Sequence, residues 1–140
     1  MPALRSLIAI LLTAASLQVH AADDSLYNAL GGRANIHRFV ADTVKSVMLD
    51  ARIRDSYDGT DLERLAVKLE EQFCEISGGP CKYTGKDMKT IHEDLAVSRA
   101  QFNALVENLQ DAMSKNNVSS PTQNRLLALL APMHRDVVTK

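Results

Sequence analysis

Apolar residues recur every three or four positions along most of this chain, and no stretch alternates apolar with polar residues over the length of a strand. This spacing places the apolar residues of a segment on one face of a helix, so it predicts an all-α fold. With 140 residues, we expect one domain with a single core. The spacing is found in five segments, at residues 25–30, 34–49, 61–77, 98–115 and 120–138.

Local signals mark the ends of several of these segments. Ser98 and Gln101 have the spacing of a capping box at the start of the fourth segment. The Gly-Gly-Pro sequence at 78–80 ends the third, and Pro132 lies inside the fifth. Because proline lacks an N–H group and crowds the preceding turn, we expect a kink at Pro132.

The first 21 residues have the pattern of a secretory signal peptide. Arg5 is the only charge near the start, a short apolar run begins at Leu7, and small or aliphatic residues occupy the two recognition positions before a cut after Ala21. The sequence therefore predicts a mature domain of residues 22–140, periplasmic or secreted, with no stable membrane span after processing. An N-terminal membrane anchor that is never removed is the alternative.

Composition argues against several classes of partner. The formal net charge is −1, aromatic residues make up 4% of the chain, and Trp is absent. Nucleic acid and anionic membranes are therefore poor candidate partners, because their binding needs a basic surface or stacking aromatics. Nothing resembles a coiled-coil seam, so we expect a monomer.

The chain has two cysteines, Cys74 and Cys81, with the Gly-Gly-Pro sequence between them. In an oxidising compartment the pair could close a small disulfide loop, and two free or packed thiols fit the sequence equally well. Two cysteines are too few ligands for a structural zinc site. The chain contains no Cys-x-x-Cys-His sequence, which excludes a c-type haem attachment site.

Residues 81–97 have weaker periodicity, but four of them share one helical face: Met88, Ile91, His92 and Leu95. His92 is therefore predicted to point inward among apolar side chains. A single inward histidine is more often a hydrogen-bonded core residue than a metal ligand, so this feature alone does not establish a site.

From residue 25 to residue 138 the chain resembles the group 1 truncated haemoglobins, short globins with a two-over-two helical sandwich. The resemblance implies that His92 is the proximal ligand of a haem b group in an apolar pocket. Phe102 and the Ala-Pro pair at 131–132 are in register with the family. Two motifs carry the resemblance, Leu26-Tyr27-x-x-Leu30-Gly31-Gly32 and Gly78-Gly79-Pro80-x-x-Tyr83-x-Gly85-x-x-Met88-x-x-x-His92.

The distal side departs from the family pattern. Val44 stands where many members carry a tyrosine that binds oxygen, and a shift of one residue would put Thr43 there. Leu65 and Leu69 take distal positions, the second of which is often glutamine. The missing donors put efficient nitric oxide dioxygenation in doubt. The remaining residues that we expect around the haem are Tyr57 at its edge, Phe73 and Met88.

Two further residues match special positions in some relatives. Lys68 matches a position that supplies an internal sixth iron ligand, and its alternative role is to cover the haem edge and pair with a propionate. His134 resembles a histidine that bonds covalently to a haem vinyl group in certain cyanobacterial and algal members. Its alternative is an ordinary surface histidine near a helix end. We expect His37 to be exposed.

The leading hypothesis is an exported haem protein that reversibly binds oxygen or nitric oxide, or performs haem redox chemistry. Its implied partners are diatomic gases and, for redox chemistry, an electron donor. We expect a ligand-binding or redox protein rather than a dedicated enzyme. A nitric oxide dioxygenase or peroxidase-like enzyme is one alternative, and a haem-free binding module with the same fold is the other.

Overall fold

The computed structural model describes residues 25–140, and all regular structure in that range is helical. The predicted all-α class is therefore confirmed. The predicted signal peptide lies outside the described residues, so it stays a prediction. Two 3-10 turns occur, at Arg54–Tyr57 and Ala131–Met133. The α-helices are α1 (Leu26–Ala29), α2 (Gly32–Leu49), α3 (Leu62–Ile76), α4 (Met88–His92), α5 (Arg99–Lys115), α6 (Ser120–Leu130) and α7 (His134–Val137).

Several helix ends lie where local signals predicted, whereas α2 begins at Gly32, two residues before the predicted start. Both bonds of the predicted capping box are present, since Ser98 Oγ accepts from the Gln101 N–H at 3.2 Å and Gln101 Oε1 accepts from the Ser98 N–H at 2.9 Å. Gly31 separates α1 from α2 in the left-handed conformation, with φ +88°. At Pro132, where we expected a kink, a 3-10 turn divides α6 from α7.

The core lies where α2 packs against α3 and α5. Phe39 of α2 and Phe73 of α3 meet at its centre, with ring centroids 6.1 Å apart. Burial of such large side chains is the main source of stability in a helical domain. Within residues 25–140, no helix is both long and apolar enough to cross a membrane.

The segment between α3 and α4 is irregular and is held by specific links. Cys74 and Cys81 form a disulfide with their Cα atoms 5.6 Å apart, which decides between the two alternatives left open by the sequence. A Cβ atom at Gly79 would lie 2.5 Å from the Tyr27 ring and 2.7 Å from Cys74 Sγ, so only glycine fits. The Tyr27 N–H donates to the Ser77 carbonyl at 2.9 Å. The chain is thereby folded back along α3 before it enters α4.

Candidate functional site

A cavity of about 340 Å³ lies between α3 on one side and α4 on the other, with α2, α5 and the C-terminal segment completing its walls. Its lining is mainly apolar, which is typical of small-molecule and cofactor sites. The cavity also explains why predicted stripe residues of α3 and α5 are only half-buried: they face the cavity rather than another helix. These residues are Leu62, Leu65, Leu69, Phe102, Leu105 and Val106.

His92 lies at the end of α4, and its side chain lines the cavity. Its Nδ1 is 2.7 Å from the carbonyl oxygen of Met88. Because a carbonyl only accepts hydrogen bonds, Nδ1 must carry the proton, and Nε2 keeps a free lone pair. This bond therefore selects the tautomer that can donate a lone pair to a metal, and it restrains the ring.

Asp87 stabilises the short helix that carries His92. Its carboxylate accepts from the Thr90 hydroxyl at 2.7 Å and from the Thr90 N–H at 2.9 Å. These bonds hold the pKa of the Asp87 carboxyl below its ordinary value, and the bond from the Thr90 hydroxyl contributes most. An N-cap of this kind satisfies a backbone donor that a five-residue helix would otherwise leave unpaired.

Lys68 lines the cavity from α3, and an ion pair holds its head group. Lys68 Nζ donates to Glu71 Oε2 at 2.9 Å and to Thr84 Oγ1. The hydrogen bond from Lys68, followed by those from the Thr84 N–H and hydroxyl, lowers the pKa of Glu71 to about 2. The apolar periodicity used in the sequence prediction carries no signal for Glu71 or Thr84, since both are polar.

The structure brings most of the predicted site residues together around this cavity, and His134 is the exception. The His134 ring contacts the edge of the Phe102 ring, with centroids 4.9 Å apart, and Phe102 itself lines the cavity. His37 is exposed as predicted, and its Nδ1 is 2.8 Å from Glu70. The predicted residues that line the cavity are Val44, Tyr57, Leu65, Lys68, Leu69, Phe73, Met88 and His92.

Gln72 and Thr43 are among the polar residues of the cavity wall that were not predicted as site residues, although Thr43 was considered in place of Val44. Gln72 is only 7% exposed, and its amide nitrogen lies 3.5 Å from Met88 Sδ and 3.7 Å from Met133 Sδ. Thioether sulfur is a weak acceptor. Helical spacing could have predicted that Gln72 lies on the cavity face of α3, because it is three positions after Leu69. The hydroxyl of Thr43 donates to the Phe39 carbonyl at 2.7 Å.

Tyr57, the last residue of the 3-10 turn at Arg54–Tyr57, supplies a further polar group to the cavity. Its side chain is half-buried against the cavity, and this burial raises the pKa of the phenol above its ordinary value. The hydroxyl is therefore protonated at neutral pH and is able to donate a hydrogen bond.

Comparison with known proteins decides the family. The family model described as bacterial-like globin matches residues 25–139, nearly all of the described chain. The group 1 truncated haemoglobin GlbN of Mycolicibacterium paratuberculosis is 30% identical over 115 residues, which cover 82% of this chain and 85% of that protein. The chain belongs to the group 1 truncated haemoglobins.

Solved structures of truncated haemoglobins have the same fold. The crystal structure of the Fe(III) form from Tetrahymena pyriformis matches with a TM-score of 0.80 at 24% identity, covering 84% of this chain and 100% of that one. The 2/2 haemoglobin from Synechococcus sp. in the cyanomet state, with covalently attached haem, matches with a TM-score of 0.76 at 24% identity. That match covers 83% of this chain and 99% of the other. The expected two-over-two globin fold is confirmed.

The residues around the cavity fit the cofactor that a truncated haemoglobin implies. The apolar walls suit the faces of a porphyrin, and the free Nε2 of His92 is the donor that iron takes from a proximal histidine. Lys68, which lines the cavity, has the charge that would attract a propionate. Family membership implies haem as the cofactor and diatomic gases as ligands.

Proposed function

We propose that this truncated haemoglobin binds haem b through Nε2 of His92, and that it reversibly binds oxygen or nitric oxide or performs haem redox chemistry. The observation that carries the proposal is the bond from His92 Nδ1 to the Met88 carbonyl beside an apolar cavity. When bound, haem supplies an iron atom that takes a diatomic ligand and changes oxidation state. The chain supplies the proximal nitrogen, the dry walls and the polar groups near the ligand.

The composition of the distal wall favours ligand binding or electron transfer over dioxygenation. The side chains of Val44, Leu65 and Leu69 offer no hydrogen-bond donor. Each missing donor makes the binding free energy of a polar ligand less favourable by about 1 kcal/mol or more. Among the polar residues that line the cavity, Tyr57 and Gln72 would compensate in part, through a hydroxyl and an amide. An electron donor would be required for redox turnover.

Lys68 is our proposed sixth ligand of the iron. Support comes from its position, because it lines the cavity from α3 while His92 lines it from α4. Nζ must first leave Glu71 and Thr84 and release a proton to solvent, since an ammonium group has no lone pair. A diatomic ligand would then bind only when Lys68 moves away.

A covalent bond from His134 to a haem vinyl group remains part of the proposal. The Synechococcus structure, which has covalently attached haem, supports it. Because His134 contacts Phe102 and does not itself line the cavity, its ring would have to turn toward the haem to form the bond. Acid and organic solvent should then fail to extract haem from the protein. Complete extraction would contradict the bond, and a His134→Ala variant that becomes extractable would support it.

We also propose that the chain is exported, with residues 1–21 as the signal peptide. The disulfide between Cys74 and Cys81 supports this, because such bonds persist in oxidising compartments. N-terminal sequencing of the protein from a periplasmic or secreted fraction tests it. A mature chain that begins at Ala22 is expected, and a chain that retains Met1 would contradict cleavage.

Haem uptake by a His92→Ala variant tests the main proposal. The wild-type protein should take up one haem per chain and show a Soret band. We expect the variant to lose most of this binding, and added imidazole to restore the band by supplying the missing nitrogen. His37→Ala, which removes an exposed histidine outside the cavity, is the matched control and should bind haem normally.

Two results would overturn the proposal. One is a His92→Ala variant with wild-type haem affinity and an unchanged spectrum. The other is a folded wild-type protein that takes up no haem, which would instead favour a haem-free binding module.

A further inference from the structure

The head group of Lys68 is held by two residues for which no role was predicted. Glu71 Oε2 accepts from Lys68 Nζ at 2.9 Å, from the Thr84 hydroxyl at 2.8 Å and from the Thr84 N–H at 3.0 Å. Thr84 Oγ1 in turn accepts from Lys68 Nζ. A hydroxyl has one proton and two lone pairs, so all of these bonds form at once. Lys68, Glu71 and Thr84 therefore make a closed hydrogen-bonded ring beside the cavity.

We propose that Glu71 and Thr84 are positioning residues that form a docking site for Lys68 and decide how often its amine reaches the iron. This inference rests on the proposed function, in which His92 holds the haem and Lys68 is the sixth ligand. The Lys68 docking site, made of Glu71 and Thr84, competes with iron for one nitrogen atom. While Lys68 is docked, its nitrogen would be unavailable to the iron and gases could bind. After Lys68 has left the docking site and released a proton, its amine could bind the iron and compete with gases.

The docking site is built on a firmly held loop. Cys74 lies one turn after Glu71 on α3, and its disulfide holds Cys81, three residues before Thr84. The residues on either side of Thr84 are also linked, because the Tyr83 hydroxyl donates to the Lys86 carbonyl at 2.7 Å. The loop thus presents the Thr84 hydroxyl and N–H to α3 without relying on apolar burial.

The charges and donors of Lys68 make the two positions mutually exclusive. In the docking site, two of the three N–H donors of the ammonium are satisfied and its charge faces a carboxylate. On iron, the same nitrogen would have to supply its lone pair. Because a hydrogen bond to a charged group contributes strongly, we expect loss of the Glu71 charge to raise the ratio of iron-bound to docked Lys68 about tenfold.

Glu71→Gln and Thr84→Val test the docking site in haem-loaded protein at one fixed pH. The fraction of low-spin ferric haem, measured by electron paramagnetic resonance, should rise in both variants, and more in Glu71→Gln. Azide should bind more slowly, by up to about tenfold, because Lys68 must leave the iron first. If wild-type haem is already mostly low-spin, its low-spin fraction can rise little further, but the rate of azide binding can still fall.

Glu70→Gln is the matched control, because it removes an adjacent carboxylate of α3 that pairs with exposed His37 instead. It should leave both readouts at wild-type values. Glu71→Asp, which retains the charge on a shorter side chain, should give intermediate values. Adding Lys68→Ala to Glu71→Gln should abolish the low-spin gain, and this separates Lys68 from any other ligand.

The possible outcomes separate this inference from the proposed function. Unchanged or lower low-spin fractions in both Glu71→Gln and Thr84→Val, with unchanged azide rates and normal haem uptake, would overturn the docking site alone. Haem that stays high-spin in the wild type and in both variants would overturn the docking site together with the proposal that Lys68 is the sixth ligand, while leaving haem binding by His92 intact. Failure of wild-type protein to bind haem would overturn the proposed function itself. Thr84→Val, an exposed position, provides the test if Glu71→Gln does not fold.

Discussion

The body formed by α2, α3 and α5 and the segment from residue 77 to residue 97 are stabilised in different ways. In the body, long helices bury large apolar side chains such as Phe39 and Phe73. The segment contains one five-residue helix and few buried side chains, and it is attached to α3 by a disulfide and by the hydrogen bonds of Thr84. The segment that presents His92 thus depends on a few individual links to α3 and on the packing of α4 against α7, whereas the body depends on many contacts between long helices.

Substitution of Phe39 by alanine should have the largest effect on stability. Phe39 is fully buried, and removal of its ring leaves a cavity, so we expect the free energy of unfolding to fall by about 3–5 kcal/mol. Denaturant unfolding of the haem-free protein measures it. Leu49→Ala is the control on the same helix, because Leu49 is 75% exposed and its loss should change little. Similar losses for the two variants would refute the assigned core.

Replacement of both Cys74 and Cys81 by serine should have the next largest effect. The bond closes a loop of eight residues, for which the loss of unfolded-chain entropy predicts a stabilisation of about 2.5 kcal/mol. We expect a matching fall in the free energy of unfolding, together with faster haem loss as the segment loosens. A reductant should destabilise the wild type but not the serine variant. Equal wild-type and variant stabilities would show that the segment does not depend on this link.

Asp87→Ala should have the smallest effect, confined to α4. The variant loses the N-cap, and we expect faster amide exchange around His92 with little change in the body. Because the pKa of Asp87 is lowered in the folded state, its contribution is present above its ordinary pKa of 3.8 and fades as the pH falls through the lowered value. The stability difference between the wild type and Asp87→Ala should therefore shrink in acid.

Asp87→Asn separates the two parts of that expectation, since asparagine still caps a helix but does not titrate. Its stability difference from Asp87→Ala should not depend on pH in the acid range. A stability difference between the wild type and Asp87→Ala that grows as the pH falls would contradict the role given to the Asp87 carboxylate.

Most of the helices, together with the proximal histidine as a candidate, could be predicted because those signals are local. Apolar spacing located the long helices, and Ser98, Gln101 and Pro132 marked their ends through bonds that reach only three or four residues. The short helix α4 was less clear, because five residues give too few repeats of the pattern. His92 was found through its place in a family motif as well as its apolar neighbours.

The sequence by itself determined the helical class, the family and the apolar face that carries His92, since each follows from spacing along one stretch of chain. Only the tertiary structure decided that Cys74 bonds to Cys81, that Lys68 is held by Glu71 and Thr84, and that His134 contacts Phe102 instead of lining the cavity. The links of Lys68 to Thr84 and of His134 to Phe102 join residues from different elements. Their distances depend on how the helices pack and how the connecting loops turn back, which no single stretch of sequence encodes.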